Sequence, residues 1–469
     1  MQVFRLTKAI CAISLLLVSG VTAAAPGDAT FVSRVDEFVL AEMRNQKVPG
    51  LAVAIVRNGE VIAAKGYGSA NVEHGIPVTR STMFQSGSVG KMFTATAVML
   101  EVERGRLALD NSILDYLPDA PSSWRPITVR HLLTHTSGIP DYSPKQIDYR
   151  RDYSEDELAK LAYQMPLEFA AGERWNYSNT AYVLLGIMVR RVSGRFYGDV
   201  LKEEVFTPLG MKTARNISEA DIVPHRAAGY RLADGELKNQ DWVSPALNTT
   251  ADGSLYLSID DMIAWERGVR TGAVLSAASW KEIYSPVHLN SGKTYPYGFA
   301  WSIEQAAGRP RYHHGGSWQG FKAYFSRYLA GDLSIIVLAN LAEASPARFV
   351  DGIARLCDPK LVQAPPARLK RDPAAEARLR FLLDAAAGGR LKAEDVPLAR
   401  QGFVEQAGPS LAQLLGPLGK LQRLQLVDRT ELGDDQIFTY DAAYPDRVVR
   451  VRLGLAPGDR TSLFDVEGE

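Results

Sequence analysis

Hydrophobic and polar positions near the start of the chain predict a helix followed by a strand pair. Residues 32–48 repeat apolar side chains every three to four positions, which is the spacing of an amphipathic helix. Two apolar runs, Leu51–Val56 and Val61–Ala64, then flank the dipeptide Asn58-Gly59, a strong signal for a tight β-hairpin. The chain therefore opens with elements typical of a mixed α and β fold.

A second group of strand signals lies between residues 297 and 339. The segments 297–303, 311–318, 320–326 and 333–339 each have the length and the aromatic or β-branched content of a strand. The second segment contains Gly315-Gly316, and glycine inside a strand suggests that another backbone approaches closely there. We expect a substrate chain lying along that strand to be the occupant.

The last hundred residues have a pattern of their own. Prolines at 365, 366 and 373 mark a linker over residues 361–373, and residues 374–469 are predicted to form a small accessory α+β domain. We find no nucleophile–base pair, metal cluster or glycine-rich phosphate loop in it. Its predicted elements are a helix over 374–387, a short helix over 411–418, and strands over 421–427, 436–440, 448–455 and 461–466.

The composition is that of a globular protein without a charged partner. With 469 residues and 46% hydrophobic content, the chain can bury a large core and is expected to form two or three folding units. Lysine plus arginine and aspartate plus glutamate both number 53, so no charge excess favours nucleic acid as a partner. After the N-terminus, no segment is long and apolar enough for a permanent membrane span.

The N-terminus has the features of a secretory signal peptide. Arg5 and Lys8 precede the apolar run Ala9–Val18, and small residues at Ala23 and Ala25 follow it. A signal peptide over residues 1–25 predicts a secreted protein, in the bacterial periplasm or outside the cell. After cleavage a single cysteine, at position 357, remains, so the mature chain cannot form an internal disulfide.

The chemistry of the chain centres on Phe84–Thr94, where a serine and a lysine stand three residues apart before an apolar run. Residues i and i+3 share one face of a helix, so the Lys91 amine can reach the Ser88 hydroxyl. A lysine can activate a serine only if its own pKa is lowered, and a helix N-terminus and burial both lower it. Alone, this pattern more often marks a capped helix with a solvated lysine, so the interpretation needs further residues.

A second group of polar residues, Trp175–Thr180, precedes an apolar helical run from Ala181 to Val192. Tyr177 and Asn179 stand two apart in a predicted loop, so their side chains point the same way. Tyr177 could pass a proton between nucleophile and leaving group, and Asn179 could hold a substrate carbonyl and the lysine in register. Alone, Tyr-x-Asn is a turn followed by a helix cap.

Two histidines, His131 and His135, have the spacing of a metal-binding pair on a helix. No glutamate follows the first of them, however, and no third ligand is evident. We interpret both as structural histidines that satisfy buried backbone groups, and we expect no metal.

Taken together, Ser-x-x-Lys at 88–91, Tyr-x-Asn at 177–179 and His-x-Gly at 314–316 resemble the serine hydrolases of the class C β-lactamase and penicillin-binding-protein-like family. The resemblance covers about Phe31 to Leu356. It implies an α+β fold of the β-lactamase/transpeptidase-like type over residues 26–360. That fold has an antiparallel sheet flanked by helices plus a helical region.

The resemblance also implies a division of catalytic roles. Ser88 would be the acyl nucleophile, Lys91 the general base, and Tyr177 would share proton transfer with the lysine. The implied reaction is a two-step acyl transfer through a seryl ester, without metal or cofactor.

Four further residues would bind the substrate if the resemblance holds. Asn179 would contact it, and the strand at His314 and Gly316 would border the cleft. The backbone N–H of Ser317 would form an oxyanion hole with that of Ser88. The expected partner is therefore a small ester, amide or peptide.

One departure from the family pattern affects the substrate. The β-lactamases and penicillin-binding enzymes carry Lys-Thr-Gly where this chain has His314-Gly315-Gly316. A lysine presents a permanent cation to a substrate carboxylate, whereas an unperturbed histidine is mostly neutral near pH 7. The substitution looks more like the D-aminopeptidases and the esterase relatives, which favours an ester or a small D-amino-acid amide as substrate.

Other functions stay open at this point. A β-lactamase or D-Ala-D-Ala carboxypeptidase is disfavoured by the missing Lys-Thr-Gly, and an α/β-hydrolase by Ser86, which stands where Gly-x-Ser-x-Gly requires glycine. A catalytically silent, penicillin-binding-like cell-wall module is the alternative that is not an enzyme. The sequence leaves the particular substrate and the oligomeric state undetermined.

Overall fold

The computed structural model describes residues 29–142, 147–216, 220–362, 369–399 and 402–467. The predicted signal peptide lies outside these residues, so its cleavage and the export of the protein stay predictions. Residues 363–368 of the predicted linker also lie outside them, and the division into domains on either side of the linker stays a prediction as well.

The helices are, in chain order, α1 Ala29–Gln46, α2 Lys91–Glu103, α3 Val129–Leu133, α4 Glu155–Tyr163, α5 Asn179–Ser193, α6 Tyr197–Leu201, α7 Thr207–Leu209, α8 Ile259–Thr271, α9 Ala277–Ile283, α10 Pro346–Cys357, α11 Pro373–Ala387 and α12 Phe403–Leu415. The strands are β1 Gly50–Arg57, β2 Glu60–Asn71, β3 Ile76–Pro77, β4 Phe84–Gln85, β5 Arg215–Asn216, β6 Tyr230–Ala233, β7 Glu236–Asn239, β8 Leu255–Leu257, β9 Val287–His288, β10 Thr294–Tyr295, β11 Ser302–Ala306, β12 Arg309–Trp318, β13 Phe321–Tyr328, β14 Leu333–Ala339, β15 Arg423–Leu432, β16 Asp435–Ala443, β17 Val448–Ala456 and β18 Arg460–Glu467.

The main sheet is antiparallel and joins the two ends of residues 29–362, which contain the predicted catalytic residues and are named the catalytic region. Its strand order is β11-β12-β13-β14-β1-β2-β3, so the early hairpin pairs with strands more than 250 residues later in the chain. The predicted hairpin is confirmed: Asn58 and Gly59 connect β1 to β2 with positive φ angles of 52° and 78°. Two positive φ angles define the tight turn that suits the twist of antiparallel strands.

Helices cover both faces of this sheet. On β1, Leu51 and Ile55 pack into one hydrophobic core with α1 and α10, whereas Ala52 and Ala54 pack into a second, larger core. The second core lies among the helices that include α2, α5 and α8. The predicted site residues come from the helical side and from β12, so the predicted site lies between these two parts. The fold is the predicted α+β type.

One predicted strand is wrong in part. Residues 297–301 form a loop, and the strand begins at Ser302. Ala300 has a positive φ of 63°, and a Cβ atom on Gly298 would lie 2.0 Å from the carbonyl oxygen of Ile283. The aromatic residues that suggested a strand are buried in the core without joining a strand ladder.

The C-terminal residues form a separate sheet-rich region. Strands β15 to β18 make a four-stranded antiparallel sheet in sequence order, and α11 and α12 complete a hydrophobic core of its own. Helix α12 begins at Phe403, eight residues before its predicted start. An ion pair of 3.3 Å between Arg174 and Asp435, together with a backbone hydrogen bond from Gly433 to Thr294, joins this region to the rest of the molecule.

Candidate active site

Ser88 lies in a short 3-10 turn, Gly87–Gly90, immediately before α2. Gly87 has a φ of 48°, and a Cβ atom there would lie 2.3 Å from the backbone nitrogen of Ser317. Glycine fits both the positive φ and the close approach, whereas a larger residue would force the two segments apart. The turn is therefore held directly against strand β12, and Ser88 stays partly exposed.

Helix α2 is buried along most of its length, and its first residue, Lys91, is completely buried. The Lys91 Nζ lies 3.0 Å from the Ser88 Oγ and 2.6 Å from the Asn179 Oδ1. It also donates a hydrogen bond to the carbonyl oxygen of Asp252. The predicted serine–lysine contact is thus present, and the lysine is fixed from three sides.

Burial lowers the pKa of Lys91 to about 8, while the carboxylates of Asp252 and Asp141 act in the opposite direction. A substantial fraction of the amine is therefore neutral at mildly alkaline pH. Because the neutral amine already contacts the Ser88 hydroxyl, it is placed to accept the serine proton.

Tyr177 lies beside this pair. Its ring centroid is 5.0 Å from the Lys91 Nζ, and its buried hydroxyl makes no hydrogen bond of ordinary length within the described residues. Burial raises the pKa of Tyr177, and interaction with the Ser88 hydroxyl acts in the opposite direction. The neutral phenol can donate or relay a proton, but it is a poor general base near neutral pH, so Lys91 is the better candidate for that role.

Asn179 is oriented by an aspartate that the sequence analysis did not select. The Asp141 carboxylate accepts hydrogen bonds from the Asn179 backbone N–H and from its Nδ2, both over 2.9 Å. The Asn179 Oδ1 therefore faces Lys91, and the amide orientation follows from the hydrogen bonds alone. Asn179 is the first residue of α5 rather than a loop residue.

A chain of hydrogen bonds runs behind the Ser88, Lys91 and Tyr177 side chains. The His135 Nδ1 accepts the Ser178 backbone N–H over 3.1 Å, and the Tyr297 hydroxyl lies 3.2 Å from His135 Nε2 and 2.9 Å from His314 Nε2. The His314 Nδ1 lies 2.6 Å from the Gly315 carbonyl oxygen. A backbone carbonyl only accepts, so His314 carries its proton on Nδ1, and every hydrogen bond runs from Ser178 towards Gly315.

The two histidines of this hydrogen-bond network, His135 and His314, are neutral. Burial lowers the pKa of His314 to about 3, and the nearby Lys91 acts in the same direction. Burial also lowers the pKa of His135 well below its ordinary value. Therefore, His314 does not supply the cation that a lysine at this position would present to a substrate carboxylate.

The close backbone approach that was predicted at the glycines of β12 occurs at Gly316. A Cβ atom on Gly316 would lie 2.0 Å from the Ser86 carbonyl oxygen and 3.0 Å from the Ser88 backbone nitrogen. The approaching backbone is thus the nucleophile turn of this chain, which accounts for the glycine, while a substrate chain along β12 stays a prediction. The approach brings the segments of Ser88 and Ser317 together, while the oxyanion hole itself stays a prediction.

A cavity of about 270 Å³ opens beside Ser88. Ser317 and Asn179 line it, whereas His314 and Gly316 do not. Two of the described lining residues are aspartates, and none is lysine or arginine. The lining residues are Gly87, Ser88, Asp141, Tyr142, Tyr149, Asn179, Leu247, Thr250, Asp252, Gly253, Ser254, Ser317, Trp318 and Gln406.

His131 and His135, which have the spacing of a metal-binding pair, have two different structural roles. His131 caps the start of α3 through Thr128, whose backbone N–H lies 3.1 Å from the His131 Nδ1. His135 belongs to the hydrogen-bond chain described above. Across the described ranges, no group of three or more histidine, cysteine or acidic residues is arranged to hold a metal ion.

Sequence reasoning missed three residues of this site: Asp141, Asp252 and Tyr297. Asp141 lies outside the three motifs and follows directly on Pro140. Asp252 also lies outside the motifs, directly before Gly253. The available signal at both aspartates was an acidic residue beside a proline or a glycine, whereas Tyr297 was selected only as part of a predicted strand.

A buried lysine in contact with a partly exposed serine, with a neutral tyrosine beside it and a helical region packed on an antiparallel sheet, defines a serine hydrolase with a β-lactamase/transpeptidase-like fold. The chain belongs to the β-lactamase family, whose model matches residues 35–357. No helix in the described part of the chain has the length and apolar character to cross a membrane.

Three proteins illustrate what this chain is similar to in sequence and in fold. The D-aminopeptidase of Brucella ovis is 30% identical over 380 residues, covering 76% of this chain and 70% of that protein. The penicillin binding protein from Bacillus halodurans has a TM-score of 0.61 at 27% identity, covering 68% of this chain and 98% of that one. The octameric penicillin-binding protein homologue from Pyrococcus abyssi has a TM-score of 0.62 at 23% identity, covering 93% and 95%.

Proposed function

We propose that this protein hydrolyses small amides or short peptides through an acyl ester on Ser88. The observation that carries the proposal is the contact of 3.0 Å between the Ser88 Oγ and the buried Lys91 Nζ, whose pKa is lowered to about 8. A lysine with an ordinary pKa would be protonated and unable to activate the serine.

The proposed acylation moves one proton and exchanges one bond. Neutral Lys91 accepts the Ser88 proton while the Oγ bonds to the substrate carbonyl carbon, and the oxyanion accepts hydrogen bonds from the backbone N–H groups of Ser88 and Ser317. The carbon–nitrogen bond then breaks as the leaving amine takes the proton from Lys91, with the Tyr177 hydroxyl beside the transfer. Water attacks the ester in the second step and returns the proton to Ser88.

Two features support a small amide or peptide as the substrate. The cavity beside Ser88 is about 270 Å³, which suits a single amino-acid unit better than a long chain. A family relative is a D-aminopeptidase, whose substrate class supports an amide with a D-amino acid on its acyl side.

An ester is the second candidate, because the same acyl-enzyme chemistry cleaves it and an ester leaving group needs less protonation. A β-lactam or a peptide ending in D-Ala-D-Ala is disfavoured by charge. His314 is neutral, and the described lining of the cavity contains no lysine or arginine to bind the carboxylate of such substrates. We also propose export to the bacterial envelope, on the pattern of residues 1–25 alone.

Initial rates on a short-chain ester, a D-alanine anilide and a cephalosporin test the proposal. We expect turnover of the anilide or the ester, and the Ser88→Ala variant should lose it by at least about 10⁴-fold, the effect of removing a catalytic nucleophile. The matched control is Ser123→Ala, an exposed serine away from the cavity, which should leave the rate unchanged.

Two results would count against the proposal. Equal turnover by the Ser88→Ala variant would show that another group is the nucleophile. Cephalosporin turnover exceeding that of the ester and the anilide would make the protein a β-lactamase. If all three substrates are inert and a fluorophosphonate fails to label Ser88, the protein is a silent binding module.

A further inference from the structure

The two carboxylates that line the active-site cavity differ in how their oxygens are used. Asp141 directs one oxygen to the Asn179 backbone and the other to the Asn179 side chain, so its hydrogen bonds orient the catalytic machinery. Asp252 directs its Oδ2 to the Tyr142 hydroxyl over 2.5 Å. Its Oδ1 is buried and accepts no hydrogen bond from the part of the chain that the structure describes.

An unsatisfied carboxylate oxygen at this place needs an explanation. Asp252 is 8% exposed, and buried polar groups in folded proteins are almost always hydrogen-bonded because leaving one unpaired is costly. Its backbone is fixed at the same time, since the carbonyl oxygen accepts a hydrogen bond from Lys91. The oxygen therefore belongs to a side chain held in place, in the wall of a cavity that must admit a substrate.

The position of Asp252 relative to Ser88 limits which part of a substrate it can meet. Gly253, the next residue, packs so closely on the nucleophile turn that a Cβ atom on it would lie 3.0 Å from the Ser88 backbone nitrogen. Asp252 is thus adjacent to the point of attack. In an amino-acid amide, the α-amine lies two bonds from the carbonyl carbon that the serine attacks.

We propose that Asp252 is a specificity-determining residue that binds the α-ammonium group of the substrate. The inference rests on the proposed acyl transfer at Ser88 and narrows its substrates to amides and peptides with a free amine next to the scissile bond. An ammonium group has three donors, and it would satisfy the Asp252 Oδ1 in a cavity whose described lining carries two aspartates and no lysine or arginine.

The test compares two anilides that differ in the amine alone. D-alanine p-nitroanilide carries it, and propionic acid p-nitroanilide has hydrogen in its place, so the second substrate is smaller and cannot be excluded by size. We expect the wild-type kcat/KM to favour the D-alanine anilide. In Asp252→Asn this preference should fall by about 10- to 100-fold, the effect of losing one charge-assisted hydrogen bond.

The matched control is Glu405→Gln, which removes the same charge from an exposed residue of α12 outside the cavity lining. It should leave the preference unchanged, because a general loss of negative charge is not the proposed cause. A preference that persists in Asp252→Asn, or that falls equally in Glu405→Gln, would overturn the inference.

A second measurement uses the wild-type protein, in case Asp252→Asn does not fold. D-alanine amide should inhibit turnover of a neutral ester more strongly than propionamide does, and equal inhibition would overturn the inference. Both outcomes differ from failure of the proposed function itself, in which no substrate is turned over in a Ser88-dependent way.

Discussion

The cores of the catalytic region and the C-terminal region differ in how many polar side chains they contain. In the catalytic region, Lys91, His135 and His314 are buried beside large apolar side chains, and they contact other polar groups around Ser88. In the described C-terminal residues, the polar side chains that are buried are Glu376 and Thr461, and the core is otherwise apolar. The catalytic region contains several polar side chains in its core, whereas the core of the C-terminal region is mainly apolar.

This difference has an energetic meaning. A buried polar group costs free energy unless every donor and acceptor finds a partner, so such groups persist where they serve another purpose. The chain of hydrogen bonds from Ser178 to Gly315 satisfies both buried histidines, and Lys91 is held by three acceptors. We therefore expect a loss of apolar volume in the C-terminal core to lower the free energy of unfolding. In the catalytic core, we expect small displacements of the backbone to lower kcat.

The largest effect is expected from Leu453→Ala in the C-terminal sheet. Leu453 is completely buried in β17, and removing such a side chain leaves a cavity that typically costs about 2–5 kcal/mol of unfolding free energy. Chemical denaturation followed by tryptophan fluorescence and circular dichroism would measure it. Ester turnover should survive, because the Ser88, Lys91 and Tyr177 side chains lie outside this region.

Val448→Ala is the matched control, because Val448 is in the same strand but is 45% exposed. It should change the unfolding free energy by well under 1 kcal/mol. If Leu453→Ala abolishes ester turnover while the catalytic region stays folded, the two cores depend on one another and the contrast between them breaks down.

Compared with Leu453→Ala, the Gly316→Ala variant is expected to lose less unfolding free energy and more catalytic activity. The new methyl group would lie 2.0 Å from the Ser86 carbonyl oxygen, so β12 and the nucleophile turn must move apart. Overpacking of this kind costs about 1–3 kcal/mol, and a displacement of about 1 Å at the site lowers kcat by about 100-fold. Kinetics on the ester and a denaturation curve measure the two effects.

The neighbouring glycine provides a close control. A Cβ atom on Gly315 would meet the Tyr324 ring at 3.4 Å, an ordinary contact with a side chain, so Gly315→Ala should keep nearly normal activity. Equal loss in both variants would mean that the strand, rather than its contact with the Ser88 turn, is sensitive. Nearly normal activity in Gly316→Ala would contradict the proposed dependence of catalysis on that contact.

The sequence allowed prediction of the parts of this molecule that depend on spacing. The hairpin at Asn58-Gly59 and the contact of Ser88 with Lys91 follow from local geometry, so both could be predicted and both are present. The fold class followed from three short motifs in one order. The roles assigned to the motif residues stay predictions, although Tyr177 and Asn179 do lie beside Lys91.

What sequence reasoning missed depends on contacts between distant segments. Tyr297 was placed in a strand because aromatic residues favour strands, but its hydroxyl bridges two histidines that are 179 positions apart in numbering, at 135 and 314. The close approach at Gly316 was predicted, but the approaching backbone, that of Ser86, could not be identified from the sequence. Asp252 carried no motif, since its significance comes from an unused oxygen in a cavity wall.

The last prediction concerns the titration of Lys91 in the polar core, which requires no substitution. Lys91 must be neutral to accept the serine proton, and its lowered pKa is about 8. Therefore kcat/KM for a neutral ester should rise by about tenfold per pH unit at lower pH and level off above about 8. Initial rates from pH 6 to 10 measure the profile. An ester without an amine is needed, because a substrate amine would titrate in the same range.

The lowered pKa values of the histidines allow this pH profile to distinguish a lysine base from a histidine base. His314 has a pKa lowered to about 3 and that of His135 is lowered well below the ordinary value, so neither should produce an inflection near 6.5. An inflection there would assign the base to a histidine and contradict the lysine mechanism. A profile without any inflection from pH 6 to 10 would also contradict it, because a buried lysine with a pKa of about 8 must lose its proton within that range. The apolar C-terminal core offers no buried lysine or histidine among its described residues, so the response of activity to pH should belong to the catalytic region alone.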